Sequence, residues 1–447
     1  MPAPSDDRPA QAIAAAAQAV RGVASDYDGL LALIGDAQLV LLGESTHGTH
    51  EFYAERARIT QRLISELGFC GVVAEADWPD AYRINRYVRA SSADSSAEQA
   101  LSGFRRFPSW MWRNSDVHEF IDWLRGYNAR MPVASQAGFY GLDLYSLYAS
   151  IAEVLRYLDQ VDPAAAQLAR QRYACFDHYD EDSQAYGYAA WAGMSDSCRQ
   201  GVIAQLLQLQ QHAATYMQAD GISAQDAFFH AQQNARLVVN AEQYYRTMFE
   251  GRVSSWNLRD SHMADTLDAL LAHLGSTRGA PAKLVVWAHN SHLGDARATE
   301  ARYLGEWNVG QLMRARHGQR VRLIGATTYD GWVTAASRWD GPAERKRVLP
   351  ALPGSYEELL HQARSGNFVL PLTPGGAVAA ALKQKRLERA IGVLYLPATE
   401  RQSHYFFASL PAQFDAVLHI DRSTALTPLE IQQRTGGEVP ETFPVGV

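Results

Sequence analysis

Seven short runs of this 447-residue chain are apolar almost without interruption: residues 38–43, 69–75, 138–142, 283–288, 321–326, 391–396 and 414–420. They are rich in β-branched residues and lack strict alternation. That pattern predicts strands buried on both faces, as in a parallel sheet covered by helices. Residues 51–67 carry Phe52, Ile59, Leu63 and Leu67 at helical spacing and stop at Gly68, a residue type suited to a helix C-cap. Residues 116–128 and 144–158 repeat the helical pattern. The strand–helix–strand rhythm of the first 150 residues predicts right-handed βαβ units.

The middle of the chain differs. From Asp162 to Leu274 no convincing strand pattern occurs, and helical patterns fill residues 196–218, 224–250 and 257–274. The strand–helix rhythm then returns. The expected fold is an α/β core with a mostly parallel central sheet flanked by helices and a helical subdomain over the active-site cleft. Residues 1–160 and 276–447 would form the core, and 161–275 the insertion.

Composition narrows the function. A net charge of −7 and an acidic isoelectric point argue against nucleic acid or an anionic membrane as a partner, because such binding needs clustered Lys and Arg. The densest basic run, Arg345, Lys346 and Arg347, is short and reads as a solvated loop. Three widely spaced cysteines, Cys70, Cys175 and Cys198, show no zinc pattern and no disulfide framework, which points to a reducing cytoplasm. The polar, acidic start lacks the pattern of a secretory signal, and no run approaches about 18 apolar residues.

The ionisable residues fall at strand ends. The run 38–43 leads into Glu44, Ser45, Thr46, His47 and Gly48; the run 69–75 ends in Glu75 before Asp77 and Trp78; the run 138–142 leads into Asp143; the run 283–288 leads into His289, Asn290, Ser291 and His292. The carboxyl ends of parallel strands share one edge, where ligands bind, so Glu44, Glu75, Asp143 and His289 converge if these strands are neighbours. His47 is the natural general base there, with a carboxylate to fix its tautomer. Arg56 shares the stripe of Phe52 and Ile59 that should face the sheet. A buried arginine needs a partner, and Glu44 and Glu75 are at hand. His289 and His292 are open to roles as base, oxyanion donor or metal pair. Arg259 and Asp260 could reach the site or form an ordinary first-turn pair.

Other chemistries lack their signals. The chain has no Gly-x-Ser-x-Gly elbow, Walker A loop or dinucleotide fingerprint, so no nucleotide cofactor is expected. Aromatic residues are dense near the expected cleft: Trp78, Tyr82, Phe104, Phe107, Trp110, Trp112, Tyr140 and Tyr145. The aperiodic segment from Phe104 to Trp112 reads as a loop that would suit a bulky apolar ligand.

In order along the chain, Gly43-Glu44-Ser45-Thr46-His47-Gly48, Glu51, Arg56, Glu75-Ala76-Asp77-Trp78, Gly141-Leu142-Asp143, His289-Asn290-Ser291-His292 and Glu400 to Phe406 resemble the erythromycin esterase family, over about residues 38 to 430. The resemblance implies hydrolysis of a macrolide-type lactone or other carboxylic ester by activated water, without a covalent enzyme intermediate. It implies His47 as general base, Glu44 and Glu75 orienting it, and His289, His292 and Arg56 shaping the site. Asp143, Trp78, Trp110, Arg259, His404 and Tyr405 are expected to contact substrate. The implied partner is a small ester or lactone, with no cofactor or metal. Two alternatives stay open: a metal-dependent hydrolase using Glu44, His47, Glu75, His289 and His292, and a binding protein without catalysis.

Overall fold

Successive residues of the central strands point to opposite faces of one sheet, and both faces are apolar. Leu39, Leu41, Val73, Leu142, Leu284, Val286 and Leu323 belong to one buried cluster. Val40, Leu42, Val72, Ala74, Phe139, Val285, Trp287 and Ile324 belong to another. This is the two-sided burial that the uninterrupted apolar runs require.

The computed structural model describes residues 8–217 and 222–430. Its strands are β1 (Gln18–Ala19), β2 (Leu39–Leu42), β3 (Gly71–Asp77), β4 (Gly138–Asp143), β5 (Leu284–Trp287), β6 (Val321–Ala335), β7 (Glu344–Val348), β8 (Phe368–Pro371), β9 (Arg386–Arg389), β10 (Tyr405–Ala408) and β11 (Ala416–Ser423). Nine form a sheet in the order β1-β8-β11-β6-β2-β5-β3-β4, with β7 added along β6, and β9 pairs with β10 apart from it. Every neighbouring pair from β11 to β4 is parallel. β1, β8 and β7 join in antiparallel fashion. The architecture is therefore α/β, with a mostly parallel central sheet flanked by helices.

The crossover from β2 to β3 leaves one place empty, and β5 fills it after the helical stretch. Register aligns Leu42 with Trp287 and Trp287 with Ala74. The residues just past these three positions are thereby brought to one edge.

Between β4 and β5 the described residues form helices and no strand. Leu158, Ala169, Val202, Leu209, Leu237 and Leu267 from this stretch lie in the same buried cluster as Leu39 and Leu284 of the sheet. The stretch thus packs on one sheet face and shares its core. Its last helix, Arg252–Arg278, begins five residues before the predicted start at 257. The pattern at 196–218 is interrupted at His212, giving Arg199–Gln211 and Ala213–Met217; Gln218 lies outside the described residues, as do residues 1–7 at the polar start.

Three expectations need correction. The run 391–396 is not a strand: only isolated bridges form, Ile391 to Thr46 and Leu394 to Ala336. It is apolar because Ile391 and Tyr395 pack against Val333, Ala335 and Val348. The basic run 345–347 is not a loop but lies in β7, paired with the far half of β6. Cys175 and Cys198 form a disulfide, because the helical stretch folds back and sets their Cα atoms 5.9 Å apart. That bond removes the cysteine argument for a reducing compartment. Cys70 is free and buried, as its apolar run suggested. No helix among the described residues is long and apolar enough to cross a membrane.

Candidate active site

The turn from β2 to the helix His50–Leu67 carries Glu44 and His47. It is clamped from several sides. The amide of Ile391 donates to the Ser45 carbonyl at 2.8 Å, and the amides of Thr334 and Leu426 both donate to the Gly48 carbonyl at 2.9 Å. A Cβ on Gly48 would stand 1.7 Å from the Thr334 carbonyl oxygen, so the close approach of β6 requires glycine here. The Tyr53 hydroxyl donates to the His47 carbonyl at 2.9 Å.

Within this turn His47 Nδ1 lies 2.9 Å from Glu44 Oε1. The other oxygen of Glu44 pairs with Arg56 Nη2 at 2.6 Å. Arg56 lies beneath the turn, its guanidinium carbon 4.4 Å from the ring centroid of Tyr53 and 5.3 Å from that of Trp287. Both members of the pair are buried. Arg56 therefore meets Glu44 but makes no ion pair with Glu75.

β5 delivers the second group. His289 caps a short helix, Asn290–Leu293, and its Nδ1 sits 2.8 Å from the Ser291 hydroxyl. Its ring stands 4.8 Å from that of His47, centroid to centroid. Burial holds the His289 imidazole well below its ordinary pKa, with the neighbouring histidines adding to the effect. Asn290 donates through Nδ2 to the Ala326 carbonyl at 2.7 Å and accepts from the Ala326 amide at 3.2 Å. It stands in for the β2 ladder beyond Leu42.

Glu75 is the hub. It accepts from the His289 amide at 2.8 Å and from Arg259 Nη2 at 2.8 Å, and it lies 3.3 Å from His292 Nε2. Arg259 also grips Asp143 with two nitrogens, at 3.0 and 2.7 Å. His292 Nδ1 faces Asp260 at 3.0 Å, and its ring stacks on Trp256 at 4.6 Å. Trp256, Arg259 and Asp260 lie at helical spacing in the interior of Arg252–Arg278, which makes a first-turn role for Arg259 and Asp260 untenable. Burial works against charge on both His292 and Glu75. On His292 the carboxylates of Asp260 and Glu75 outweigh it and raise the imidazole to about 9. On Glu75 the cations of His292 and Arg259 outweigh it and hold the carboxyl well below its usual range.

These shifts fix a pH dependence. The folded pKa of His292 exceeds its unfolded value of 6.5, so its contribution is complete below about 6.5 and lost as pH rises through about 9. The linked stabilisation is on the order of 3 kcal/mol. Glu75 acts at the other end: its contribution is present above 4.5 and disappears only as pH falls through its depressed folded pKa. Urea unfolding between pH 6.5 and 9.5 should therefore show the wild type losing more stability than His292→Gln. Parallel profiles for the two proteins would contradict the charged state assigned to His292.

Above this floor lies an open cleft lined by His47, Glu75, Asp143, Arg259 and the aromatic side chains of Phe104, Phe107, Trp112, Tyr145 and Trp339. Asp77, Asp80 and Arg106 also face it. Burial raises Asp77 to about 6 despite Arg106, and raises Asp80, with Asp77 adding to the effect, to about 7.

Other predicted contacts fall elsewhere. Trp78 lies away from the cleft, stacked among Tyr82, Tyr140 and His230, with its indole N–H donating to His230 at 3.0 Å. Trp110 borders a smaller neighbouring depression with Arg105 and Asp340. His404 and Tyr405 line a separate hollow beside Trp256 and Ser291, where the Tyr405 hydroxyl accepts from the Leu352 amide at 3.2 Å. Glu51 accepts from the Thr424 amide and hydroxyl, a structural tie between helix and C-terminal strand. Among the described residues no three His, Cys, Asp or Glu side chains form a group able to hold a metal ion. Glu44 and Glu75 already face Arg56 and Arg259, and His292 faces Asp260.

Asp80, Arg106 and Trp339 were not picked out from the sequence. Asp80 follows Asp77, the last residue of β3, by three residues in the first turn of Trp78–Val88, a short spacing that was there to be read. Trp339 comes from the connection after β6 and carries no local signal.

Known proteins resemble this chain in sequence and in fold. Erythromycin esterase type II of Escherichia coli is 22% identical over 324 residues, covering 69% of this chain and 73% of its own length. A solved structure titled succinoglycan biosynthesis protein superposes with a TM-score of 0.77 at 21% identity, over 95% of this chain and 98% of that one. A mutant of erythromycin esterase EreC in its open conformation superposes with a TM-score of 0.65 at 18% identity, over 90% and 94%. The model of the family described as Erythromycin esterase matches residues 64–423, and the chain belongs to the erythromycin esterase family of hydrolases.

Proposed function

We propose that this hydrolase cleaves carboxylic esters, macrolide-type lactones among them, by a water molecule that His47 activates. The supporting observation is the Glu44–His47 bond at the floor of an aromatic-walled cleft. A carboxylate on Nδ1 fixes the tautomer that leaves Nε2 as the base. His47 Nε2 takes a proton from water as the water oxygen attacks the acyl carbon. The tetrahedral intermediate collapses, the alkoxide leaves, and His47 returns the proton to it. The products are an acid and an alcohol, and the enzyme is never acylated. Arg259 lines the cleft and supplies a fixed positive charge toward the developing oxyanion. Arg56 lies behind Glu44 and acts as its counter-ion. The family relationship to erythromycin esterase type II supports a lactone substrate, and Phe104, Phe107, Trp112 and Trp339 suit a large apolar ring.

Incubation with a panel of esters and macrolides, followed by mass spectrometry, should show products heavier by one water. Quenched enzyme should carry no acyl adduct, and turnover should survive a strong chelator. Activity lost on chelation and restored by a divalent cation would replace this mechanism with the metal-dependent one. A panel with no turnover would favour the binding-protein reading.

A further inference from the structure

The helix Trp78–Val88 spans two cavities. Its first turn borders the catalytic cleft. Further along, Tyr82, Arg86 and the following Arg89 border a second, open cavity that shares no lining residue with the cleft. Arg156 and Tyr157 complete the far wall, and Val133 stands 66% exposed at the rim.

The charges in this second space do not balance. Asp226 is taken by Arg89 at 2.7 Å and by His273 at 2.8 Å. Glu153 is taken by Arg156 and by His230 at 2.9 Å. Burial lowers the pKa of the His230 ring, against the pull of Glu153. Arg86 is left over. Among the described residues its side chain makes no ion pair, Asp94 acts on it only through space, and its Nε is buried without a hydrogen bond. A desolvated guanidinium nitrogen without an acceptor is costly, and an arriving anion would supply one. The remaining wall is mixed: the rings of Tyr157 and of Tyr82, stacked on His230 at 3.8 Å, alternate with Asn85, Gln136 and Gln160.

We propose that this cavity is a second binding site, for a small organic anion with one phosphate or carboxylate on an aromatic body. Arg86 receives the anionic group, Arg89 and Arg156 add positive field, and the tyrosines take the ring. The site is tied to the catalytic edge through Trp78, whose indole donates to His230.

Calorimetric titration of the full chain with phenyl phosphate tests this. Saturable binding at one molecule per chain is expected, with none for phenol, which keeps the ring and lacks the charge. Arg86→Gln should weaken binding by at least about tenfold, as expected for a charge-assisted hydrogen bond. Because Arg86 makes no ion pair, its unfolding midpoint should stay near that of the wild type. Arg86→Lys should recover part of the loss. Arg106→Gln, in the catalytic cleft, should leave binding intact. Absence of saturable binding, equal affinity in Arg86→Gln, or loss in Arg106→Gln instead would overturn the proposal.

Discussion

Replacing His47 with alanine is expected to lower kcat by about 10²- to 10⁴-fold, the range that a positioned general base contributes. The fold should survive, because the turn is held through its backbone. The Tyr53 hydroxyl and the amides of Thr334, Leu426 and Ile391 bind carbonyls or neighbours that the substitution leaves in place. Glu44 keeps Arg56 as its counter-charge, so no carboxylate is stranded. KM should move little, since the aromatic walls that would hold the substrate are untouched. The check is steady-state kinetics on the best ester of the panel, beside a urea unfolding curve. Glu44→Gln should fall in the same direction with His47 present. An amide can bond Nδ1 as donor or acceptor, and it no longer stabilises the imidazolium. If His47→Ala retained a rate within a few fold of the wild type, another group would have to serve as base.

The convergence of strand tips was legible because each tip is a local fact. An apolar run ending in Glu44, Glu75 or His289 needs only one segment to be read. Which tips touch was not legible in the same way. Glu75 and His289 meet because β5 enters between β2 and β3 after the helical stretch, and nothing local to residues 283–292 encodes that insertion. The burial of Arg56 followed from its place in the stripe of Phe52 and Ile59. Its pairing with Glu44 is made beside the rings of Tyr53 and Trp287, and the Trp287 ring comes from a strand distant in sequence.

The differences have several causes. The run 391–396 was read from its apolar composition, which reports burial rather than location, and the segment around His404 and Tyr405 from its resemblance to the family, which carries no position in space. Both are buried, one against the far half of β6 and one beside a second hollow. Trp78 was assigned to the cleft by its nearness to Glu75. A strand's end and the next helix face differ in direction, and that residue turns toward Tyr140 and His230. Asp260 was weighed as a helix-end residue because the helix start was placed too late, which hid its bond to His292. The disulfide joins residues 23 apart whose proximity is created only by helices folding back.

The Arg56–Glu44 pair carries the second large effect. Arg56→Met keeps most of the side-chain volume and removes the charge. Glu44, 1% exposed, would then keep its hydrogen bond to His47 but have lost the guanidinium that balances its charge. Breaking one partner of such a pair costs on the order of 3–5 kcal/mol. A carboxylate so stranded takes up a proton rather than stay charged, and a protonated Glu44 cannot stabilise the imidazolium of His47. Activity should therefore fall along with stability. Arg56→Lys should lie between, because a lysine returns the charge but not the flat guanidinium that rests against Tyr53 and Trp287. The decisive variant is Arg56→Met combined with Glu44→Gln. With both charges gone no ion is left unpaired, so unfolding in urea should recover much of the lost stability. Turnover should stay low, because the group that orients His47 is missing. The two measurements then separate: coupling in the stability cycle shows that the pair is needed to keep a charge in the core, and the unrecovered kcat shows what that charge is for. Strictly additive stability losses would mean that Arg56 and Glu44 do not depend on each other, and that the buried carboxylate beside His47 is held in its charged form by something other than Arg56.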